Sequence, residues 1–396
     1  MTMTTHQPKG AIVIFAKCPI PGSSKTRLSE LVGDEGSAAL AKAMLSDVLL
    51  TVSHDERLSQ NTIKFLVFGP GDMEGERIMT GLLSDLSLSY VSNLKTNSGT
   101  DTQDNNVTTD KWYLLPMVNT QSQNNDGKND LSSSDLGYKL AHSLIQVRNL
   151  LKNNETSNNN NNLVSISEPS VVFLGMDAPE IPIHEIAYAL DITSTTHNIK
   201  MNCSNSIIEH WNKDNNNNLQ TVKKAYINPA NDGGYGMICV PFHAPPSIFQ
   251  GVRWSSPLTA VSQLKALSDN GVDTILGSLM NDIDEPEDLM HLAIRLCLKY
   301  SSRGSSLSKI NDKIQNDNEI INMDRLSRPS EKCHQQQGNV ESEISPCLKT
   351  FETLLSLGLI REKQQSSVLR YNVNVSKFQD RAVEHRKTKK SNSTSS

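Results

Sequence analysis

The sequence of 396 residues has few aromatic residues, which make up 5% of it, and only six cysteines. The cysteines are scattered, and no two of them form a Cys-x-x-Cys pair. This spacing predicts neither a structural zinc site nor a disulfide framework. The formal net charge is only −5, which gives no electrostatic reason to expect binding to nucleic acid or to a membrane surface.

Long apolar runs are also missing from the sequence. No segment is expected to reach the roughly 18 apolar residues of a membrane span. The residues before the first apolar run, MTMTTHQPK, lack the hydrophobic region of a secretory signal. We therefore expect a cytoplasmic protein that binds neither membranes nor nucleic acid.

Low-complexity sequence is concentrated in a few places. Near 93–134, 152–162 and 192–221, Asn-rich and polar runs such as NNETSNNNNN predict surface insertions, because such runs cannot bury apolar surface. After Tyr300 the chain becomes polar again, and only 347–363 has the periodicity of a helix. The sequence thus predicts one domain over 10–300, followed by a mostly disordered tail over 301–396.

Within 10–300, short apolar runs alternate with stretches of helical periodicity. Strands are predicted at 11–16, 62–69 and 170–175, and a strand–turn–strand unit at 223–241. Such alternation predicts an α/β fold, a Rossmann-like three-layer α/β/α sandwich with a mostly parallel central sheet. In sheets of this kind, ligands bind at the carboxyl ends of the strands.

The loop after the first predicted strand is basic. In AIVIFAKCPIPGSSKTRLSEL, Lys17, Lys25 and Arg27 surround a turn at Gly22 that leads into a helix. A helix start favours anions, and ammonium and guanidinium groups both suit phosphates. The loop has neither Walker spacing nor a Gly-x-Gly-x-x-Gly pattern. The alternative, that these residues are merely solvated, stays open.

Two acidic motifs stand out, and Asp177 in the first of them is a candidate metal ligand. Asp177 follows a strand that ends at Gly175, in GMDAPEIP, and Asp284 precedes Pro286 in NDIDEPEDL. Mg²⁺ and Mn²⁺ take one or two carboxylates together with substrate phosphates. In both motifs, capping of the following helix is the alternative interpretation.

The motif NDGGY, residues 231–235, lies between two strand-like runs. Asp-Gly and Asn-Gly pairs are typical of hairpin turns. Glycines also allow a ligand to approach the backbone closely. The residues alone leave both interpretations open.

Taken in order, the motifs FAKCPIPGSSKTRL, SDLGYKL, FLGMDAPEIP, INPANDGGYGM, IFQGVRWSSP and NDIDEPEDL resemble a family of GT-A-fold glycosyltransferases linked to arsenosugar biosynthesis. More distantly, they are similar to phospholactate guanylyltransferases. The resemblance covers most of 10–300. It implies a GT-A-like nucleotide-binding fold, a nucleotide-activated donor and a divalent metal, Mg²⁺ or Mn²⁺.

The resemblance also implies roles for particular residues. Nucleotide binding falls on Lys17, Gly22, Lys25 and Arg27, metal binding on Asp177 and Asp284, catalysis on Asp232 and Asp284, and substrate binding on Gly233, Gly234, Tyr235, Trp254 and Ser255.

The chain departs from the family pattern at two places. Ser134 and Lys139 replace a usual Gly and Arg, and Gly175-x-Asp177 stands where glycosyltransferases commonly have Asp-x-Asp. The second departure leaves metal dependence as an inference from the resemblance.

The expected reaction is transfer of a sugar from a nucleoside-diphosphate sugar to a small acceptor. The alternative is nucleotidyl transfer, in which an acceptor phosphate attacks an NTP and pyrophosphate leaves. The basic loop favours the second, because a triphosphate needs more cationic contacts, and the closer family resemblance favours the first. A non-catalytic nucleotide-binding module is the remaining alternative.

Overall fold

The computed structural model describes residues 10–92, 107–118, 136–157, 169–194, 223–301, 347–365 and 368–379. The chain divides into two compact units. Unit 1 comprises Met1–Ala16, Ser53–Gly175 and Glu185–Met280, and unit 2 comprises Lys17–Val52, Met176–His184 and Asn281–Ser396.

The main sheet has eight strands: β1 Gly10–Lys17, β2 Thr62–Gly69, β3 Tyr90–Ser92, β4 Trp112–Pro116, β5 Ser170–Gly175, β6 Lys223–Pro229, β7 Tyr235–Pro241 and β8 Val272–Leu276. Their order in the sheet is β3-β4-β2-β1-β5-β7-β6-β8. β7 is antiparallel to β5 and β6, whereas β1 pairs in parallel with β5 and β6 with β8. The sheet is therefore mostly parallel.

The described helices are α1 Ser29–His54, α2 Glu56–Ser59, α3 Met73–Asp85, α4 Leu136–Ser157, α5 Ile183–Ser194, α6 Thr259–Asp269, α7 Pro286–Ser301 and α8 Leu348–Ser356, with a 3₁₀ turn at Pro246–Phe249. A separate antiparallel hairpin consists of β9 Ile360–Gln365 and β10 Val368–Val373. The predicted α/β class with a large, mostly parallel sheet is confirmed. This architecture is consistent with a Rossmann-like GT-A fold.

The core of unit 1 is formed by the apolar residues of its strands and helices. Ile12, Val13 and Ile14 of β1 are all fully buried, as is usual for a central parallel strand that is covered on both faces. Leu140 and Leu144 of α4, one helical turn apart, join the same cluster as Val13. The continuous apolar run of β1 and the four-residue spacing of the leucines on α4 are thus both explained by burial within this unit.

The core of unit 2 includes residues from the end of the chain. Leu292 and Leu296 of α7 share a cluster with Phe351 of α8 and Tyr371 of β10. The ring of Phe351 stacks on that of Tyr300 with centroids 4.3 Å apart. The predicted domain end at residue 300 is therefore too early, because apolar side chains beyond it complete this core.

The predicted helix at 347–363 is shorter in the structure. α8 ends at Ser356, and Gly358 follows with φ +66°. The N–H groups of Gly358 and Leu359 donate to the carbonyls of Leu355 and Leu354, which is the Schellman arrangement that stops a helix at glycine. Strand β9 begins directly afterwards.

The start of α8 is capped by a residue from α1. The carboxylate of Asp47 accepts hydrogen bonds from the backbone N–H of Lys349 at 2.9 Å and from the N–H and hydroxyl of Thr350 at 2.8 and 2.6 Å. Burial raises the pKa of Asp47 to about 6, while these hydrogen bonds act in the opposite direction. Asp47 thus ties the C-terminal segment to α1.

The predicted insertion at 93–134 contains a strand of the main sheet. Trp112–Pro116 forms β4, and Trp112 is 1% exposed. The expectation of a surface insertion is wrong at 112–116, because a short apolar run within polar sequence is enough for a buried strand. Of the other predicted insertions and the tail, 93–106, 119–134, 158–162, 195–221, 302–346 and 380–396 lie outside the described residues.

One described helix, α1, is long and apolar enough by length and composition to cross a membrane, although the sequence was expected to contain no such segment. Of its most apolar stretch, 78% is buried inside the protein, which is the behaviour of a core helix. Gly33, with φ +77° and ψ 170°, interrupts the helical backbone near its start.

If 347–379 is part of the core of unit 2, Phe351→Ala should lower the free energy of unfolding by about 3–5 kcal/mol, the usual cost of emptying a buried phenylalanine site. Val375→Ala is the control, because Val375 is 47% exposed and should change stability by less than about 0.5 kcal/mol. Urea unfolding of both variants measures the difference. Equal stabilities would contradict the packing of this segment.

Candidate functional site

The register of two central strands brings two predicted motifs together. β1 and β5 pair in parallel, with Phe15 opposite Gly175. The two strands therefore end side by side. At their ends, the N–H of Lys17 lies 3.1 Å from the sulfur of Met176. The basic loop and the Asp177 motif thus start from adjacent positions at the carboxyl ends of the strands.

The basic loop is held by its own hydrogen bonds. The Ser24 hydroxyl donates to the Cys18 carbonyl at 2.5 Å and accepts from the Ile20 N–H at 3.2 Å. Ser24 is 1% exposed. Ser24 was not among the predicted site residues, since a serine in a loop carries no distinctive signal.

Two residues of this loop have left-handed backbone conformations. Gly22 has φ +73° and Lys25 has φ +50°. For a lysine this conformation costs on the order of 1–2 kcal/mol. Favourable contacts of the Lys25 side chain have to compensate for that strain.

The Lys25 ammonium lies between two carboxylates. Its nitrogen is 2.5 Å from Asp177 Oδ1 and 2.7 Å from Asp284 Oδ1. Burial would lower the pKa of Lys25, but the two carboxylates outweigh it and hold the pKa above the usual value. Three residues distant in sequence therefore form one cluster within unit 2.

The remaining basic side chains are more open. Arg27 is 65% exposed and places Nη1 3.1 Å from Glu285 Oε1 and 4.0 Å from Asp284 Oδ2. Burial would raise the pKa of Asp284, but Lys25 first, and then Arg27 and Lys17, hold it below its usual value. All three predicted basic residues thus lower the pKa of the same carboxyl group, that of Asp284.

The capping alternatives can be resolved from the hydrogen bonds. Asp288, in the first turn of α7, accepts from the backbone N–H groups of Asp284 and Glu285 at 3.2 and 2.8 Å, as in a capping box. The side chain of Asp284 is left to pair with Lys25. The Asp177 carboxylate also lies on Lys25, six residues before α5 begins at Ile183.

One backbone and one side-chain hydrogen bond connect the Asp177 segment to the Asp284 segment and to α7. The N–H of Ile283 donates to the carbonyl of Asp177 at 2.9 Å. Arg295 of α7 donates from Nε to Glu180 Oε2 at 2.8 Å. These bonds hold the segments 177–180 and 283–285 in register, and so keep the two carboxylates next to Lys25.

This pair of carboxylates fits a divalent metal of the Mg²⁺ type. Among the described residues, no group of three or more His, Cys, Asp or Glu side chains could hold a metal. Mg²⁺ needs only one or two carboxylates when water and substrate phosphates supply the other oxygens. Asp177 and Asp284, both half-exposed and converging on one cation, meet that requirement.

The NDGGY motif forms the turn between β6 and β7 in unit 1. Asp232 Oδ1 accepts from the N–H of Gly234 at 2.7 Å, and the N–H of Ala230 donates to the carbonyl of Gly234. The hairpin interpretation is therefore right for this motif. The catalytic role expected for Asp232 stays a prediction.

Gly233 is required by packing. It has φ +87°, and a Cβ atom there would lie 2.1 Å from the carbonyl oxygen of Pro257. Its own carbonyl accepts from the N–H of Ala260 at 2.9 Å. The close approach at Gly233 is thus between two parts of unit 1, the hairpin and the start of α6.

The aromatic residues predicted to bind substrate pack within unit 1. The Tyr235 and Trp254 rings meet edge to face with centroids 6.2 Å apart, and the Tyr235 hydroxyl lies 3.1 Å from Gln263 Oε1. Trp254 packs against the core cluster, and a Cβ on Gly137 would be 2.7 Å from its indole nitrogen. Ser255 is exposed, with φ +54°. For these residues, substrate binding stays a prediction.

A buried carboxylate that the sequence analysis missed organises the end of β8. Glu185 Oε2 accepts from the Tyr226 hydroxyl at 2.7 Å, from Asn228 Nδ2 at 2.5 Å and from the N–H of Ser278 at 2.9 Å. Burial would raise the pKa of Glu185, but these donors hold it below its usual value. No sequence signal marks Glu185, because its partners come from two other elements.

Comparison with known proteins gives little further information. No family model matches the sequence, and no curated protein matches it significantly. Among solved structures, the chain is similar to a protein from Desulfovibrio desulfuricans G20 described as a "putative nucleotide-diphospho-sugar transferase". The identity is 18%, the match covers 78% of this chain and 96% of that one, and the TM-score is 0.45. A likeness of this size carries no argument about activity.

The packing role of Gly233 can be tested against a glycine of the same conformation. Gly251 has φ +71° but no atom within 4 Å of a Cβ built on it. Gly251→Ala should cost about 1–2 kcal/mol for its left-handed backbone alone, and Gly233→Ala about 1–3 kcal/mol more because of the clash with Pro257. Thermal unfolding measures both. Equal losses would show that Gly233 is not needed for packing.

Proposed function

We propose that this protein is a metal-dependent transferase that uses a nucleotide-activated donor, and that it moves a sugar from a nucleoside-diphosphate sugar to a small acceptor. The observation that carries the proposal is the cluster around Lys25, which places two carboxylates and three cationic side chains in one unit. A nucleotide donor presents the complementary chemistry, a chain of phosphates with a bound divalent metal. The order of the sequence motifs supports the same class.

In this proposal, the acidic residues of the cluster bind the metal and the basic residues bind the phosphates. Asp177 and Asp284 would hold Mg²⁺ or Mn²⁺, which when bound neutralises the charge of a diphosphate leaving group. Arg27 and Lys17 are exposed and would bind the outer phosphate oxygens. Ser24 would keep the loop in the conformation that presents these groups.

Nucleotidyl transfer is the second candidate. It is favoured by the number of basic residues, since Lys17, Lys25 and Arg27 all act on the site around Asp284 and a triphosphate carries more negative charge than a diphosphate. The two reactions differ in their products. Glycosyl transfer releases a nucleoside diphosphate, whereas nucleotidyl transfer releases pyrophosphate.

A product screen decides between these reactions. Purified protein is incubated with Mg²⁺ or Mn²⁺, a pool of small hydroxylated and phosphorylated acceptors, and either nucleotide sugars or NTPs. Mass spectrometry then detects nucleoside diphosphate or pyrophosphate. Nucleoside diphosphate from a nucleotide sugar is the expected result. Binding of nucleotide with no product from either donor set would favour a non-catalytic module.

Asp177→Asn should abolish metal-dependent turnover, because the amide keeps the shape of the carboxylate but removes its charge. The variant should stay folded, since the ammonium of Lys25 keeps its contact with Asp284 at 2.7 Å. Asp273→Asn, at an exposed position of β8, is the matched control and should keep activity. Near-normal metal-dependent turnover by Asp177→Asn would refute the metal assignment.

Arg27→Ala should weaken nucleotide binding by about 1.5–3 kcal/mol, the worth of a charge-assisted hydrogen bond to phosphate. Arg77→Ala is the control, because Arg77 is also exposed and also paired with a glutamate, Glu74, at 2.6 Å. Calorimetric titration with nucleotide measures both affinities. If the two variants bind nucleotide as tightly as the unaltered protein, Arg27 is only a solvated surface charge.

A further inference from the structure

The Lys25 side chain is covered, whereas its two partners are open. It is 6% exposed, and the side chains of Asp177 and Asp284 are 45% and 44% exposed. Its nitrogen contacts one oxygen of each carboxylate, at 2.5 and 2.7 Å. The ammonium therefore lies at the point where the two carboxylates converge, and both carboxylates remain accessible to solvent.

We propose that Lys25 is the resident cation of this carboxylate pair, and that its ammonium leaves the pair before both carboxylates can hold a divalent metal. The inference rests on the proposed function in one respect, the assignment of Asp177 and Asp284 as metal ligands. It adds an exchange of cations, in which Lys25 competes with the metal when no nucleotide is bound.

The competition follows from the distances. The oxygens that Lys25 contacts are Asp177 Oδ1 and Asp284 Oδ1, one from each candidate ligand. A Mg²⁺ ion bound to the same two oxygens would lie about 2.1 Å from each. Two cations at such distances from the same oxygens would be close to each other and would repel strongly in this partly covered site.

The structure also indicates which part of Lys25 can move. The backbone is fixed, because the Lys25 carbonyl accepts from the N–H of Leu28 at 2.8 Å and Ser24 ties the loop internally. The side chain ends in a flexible four-carbon stem. A donor phosphate bound near Arg27 would offer the ammonium a new partner. Metal and nucleotide would then help each other bind, by the reciprocity that applies to any two coupled ligands.

Mn²⁺ binding without nucleotide tests the exchange. Electron paramagnetic resonance measures the affinity of the full-length protein for Mn²⁺ alone, for the unaltered chain, Lys25→Met and Arg27→Met. If Lys25 occupies the pair, Lys25→Met should bind Mn²⁺ at least about tenfold more tightly. Arg27→Met removes the same charge nearby, but of the two carboxylates Arg27 reaches only that of Asp284, at 4.0 Å, so its effect should stay below about threefold.

Two results would overturn the proposal. One is Mn²⁺ affinity that is unchanged or weaker in Lys25→Met, and the other is an equal gain in Arg27→Met, which would reflect net charge alone. Thermal unfolding shows whether each variant is folded. Should Lys25→Met fail to fold, Lys25→Gln replaces it, with the same expectation.

A second measurement uses the unaltered protein and does not depend on any variant. Nitrogen-15 NMR of lysine ammonium groups should detect Lys25 as a protected signal, because it is 6% exposed. Saturation with Mg²⁺ should shift or abolish that signal. Mg²⁺ binding that leaves the Lys25 signal in place would refute the exchange.

The two proposals fail in different ways. Turnover of a nucleotide donor with no gain in Mn²⁺ affinity for Lys25→Met would support the proposed function and refute the exchange. Conversely, tighter Mn²⁺ binding by Lys25→Met in a protein that binds no nucleotide would support the exchange and refute the proposed function.

Discussion

The ion pairs of Lys25 are the contact on which the candidate site depends. Asp177 and Asp284 come from segments more than 100 residues apart, and the ammonium brings their carboxylates together. Without it, two like charges would face each other across a short distance, which is unfavourable unless another cation takes its place. The strained backbone of Lys25, at φ +50°, is stable for the same reason. In the structure, the cation between these two residues is the ammonium of Lys25.

The sequence predicted what depends on local pattern. The apolar runs at 11–16 and 170–175 became β1 and β5, because a short β-branched run has few alternatives to a buried strand. The positions of Lys25 and Asp177 in the segments that follow β1 and β5 came from that alternation. In contrast, the pairing of Lys25 with both carboxylates could not be predicted, since it depends on side-chain directions across 259 residues of sequence.

The parts that the sequence did not predict depend on tertiary packing. β4 lies within polar sequence, and its short apolar run WYLLP is buried in the structure. The segment after residue 347 looks like an isolated amphipathic helix until α7 supplies the other half of its core. Gly358 did carry a local signal, because glycine after an apolar helical run is typical of a helix C-terminus. Trp254 and Gly233 were expected to bind substrate, and the contacts that the structure gives them in unit 1 are packing contacts.

The cap that Asp47 provides for α8 has a consequence for synthesis of the protein on the ribosome. Asp47 is translated 303 residues before Thr350, its partner, and Phe351 emerges later than every residue of the Lys25 cluster. A nascent chain can thus carry all the charged groups of the site before the core beneath them is complete. Contacts this distant in sequence form slowly, and incomplete chains expose apolar surface in the meantime. Translation that stops before residue 347 would yield a chain with the whole charged cluster but without its supporting core.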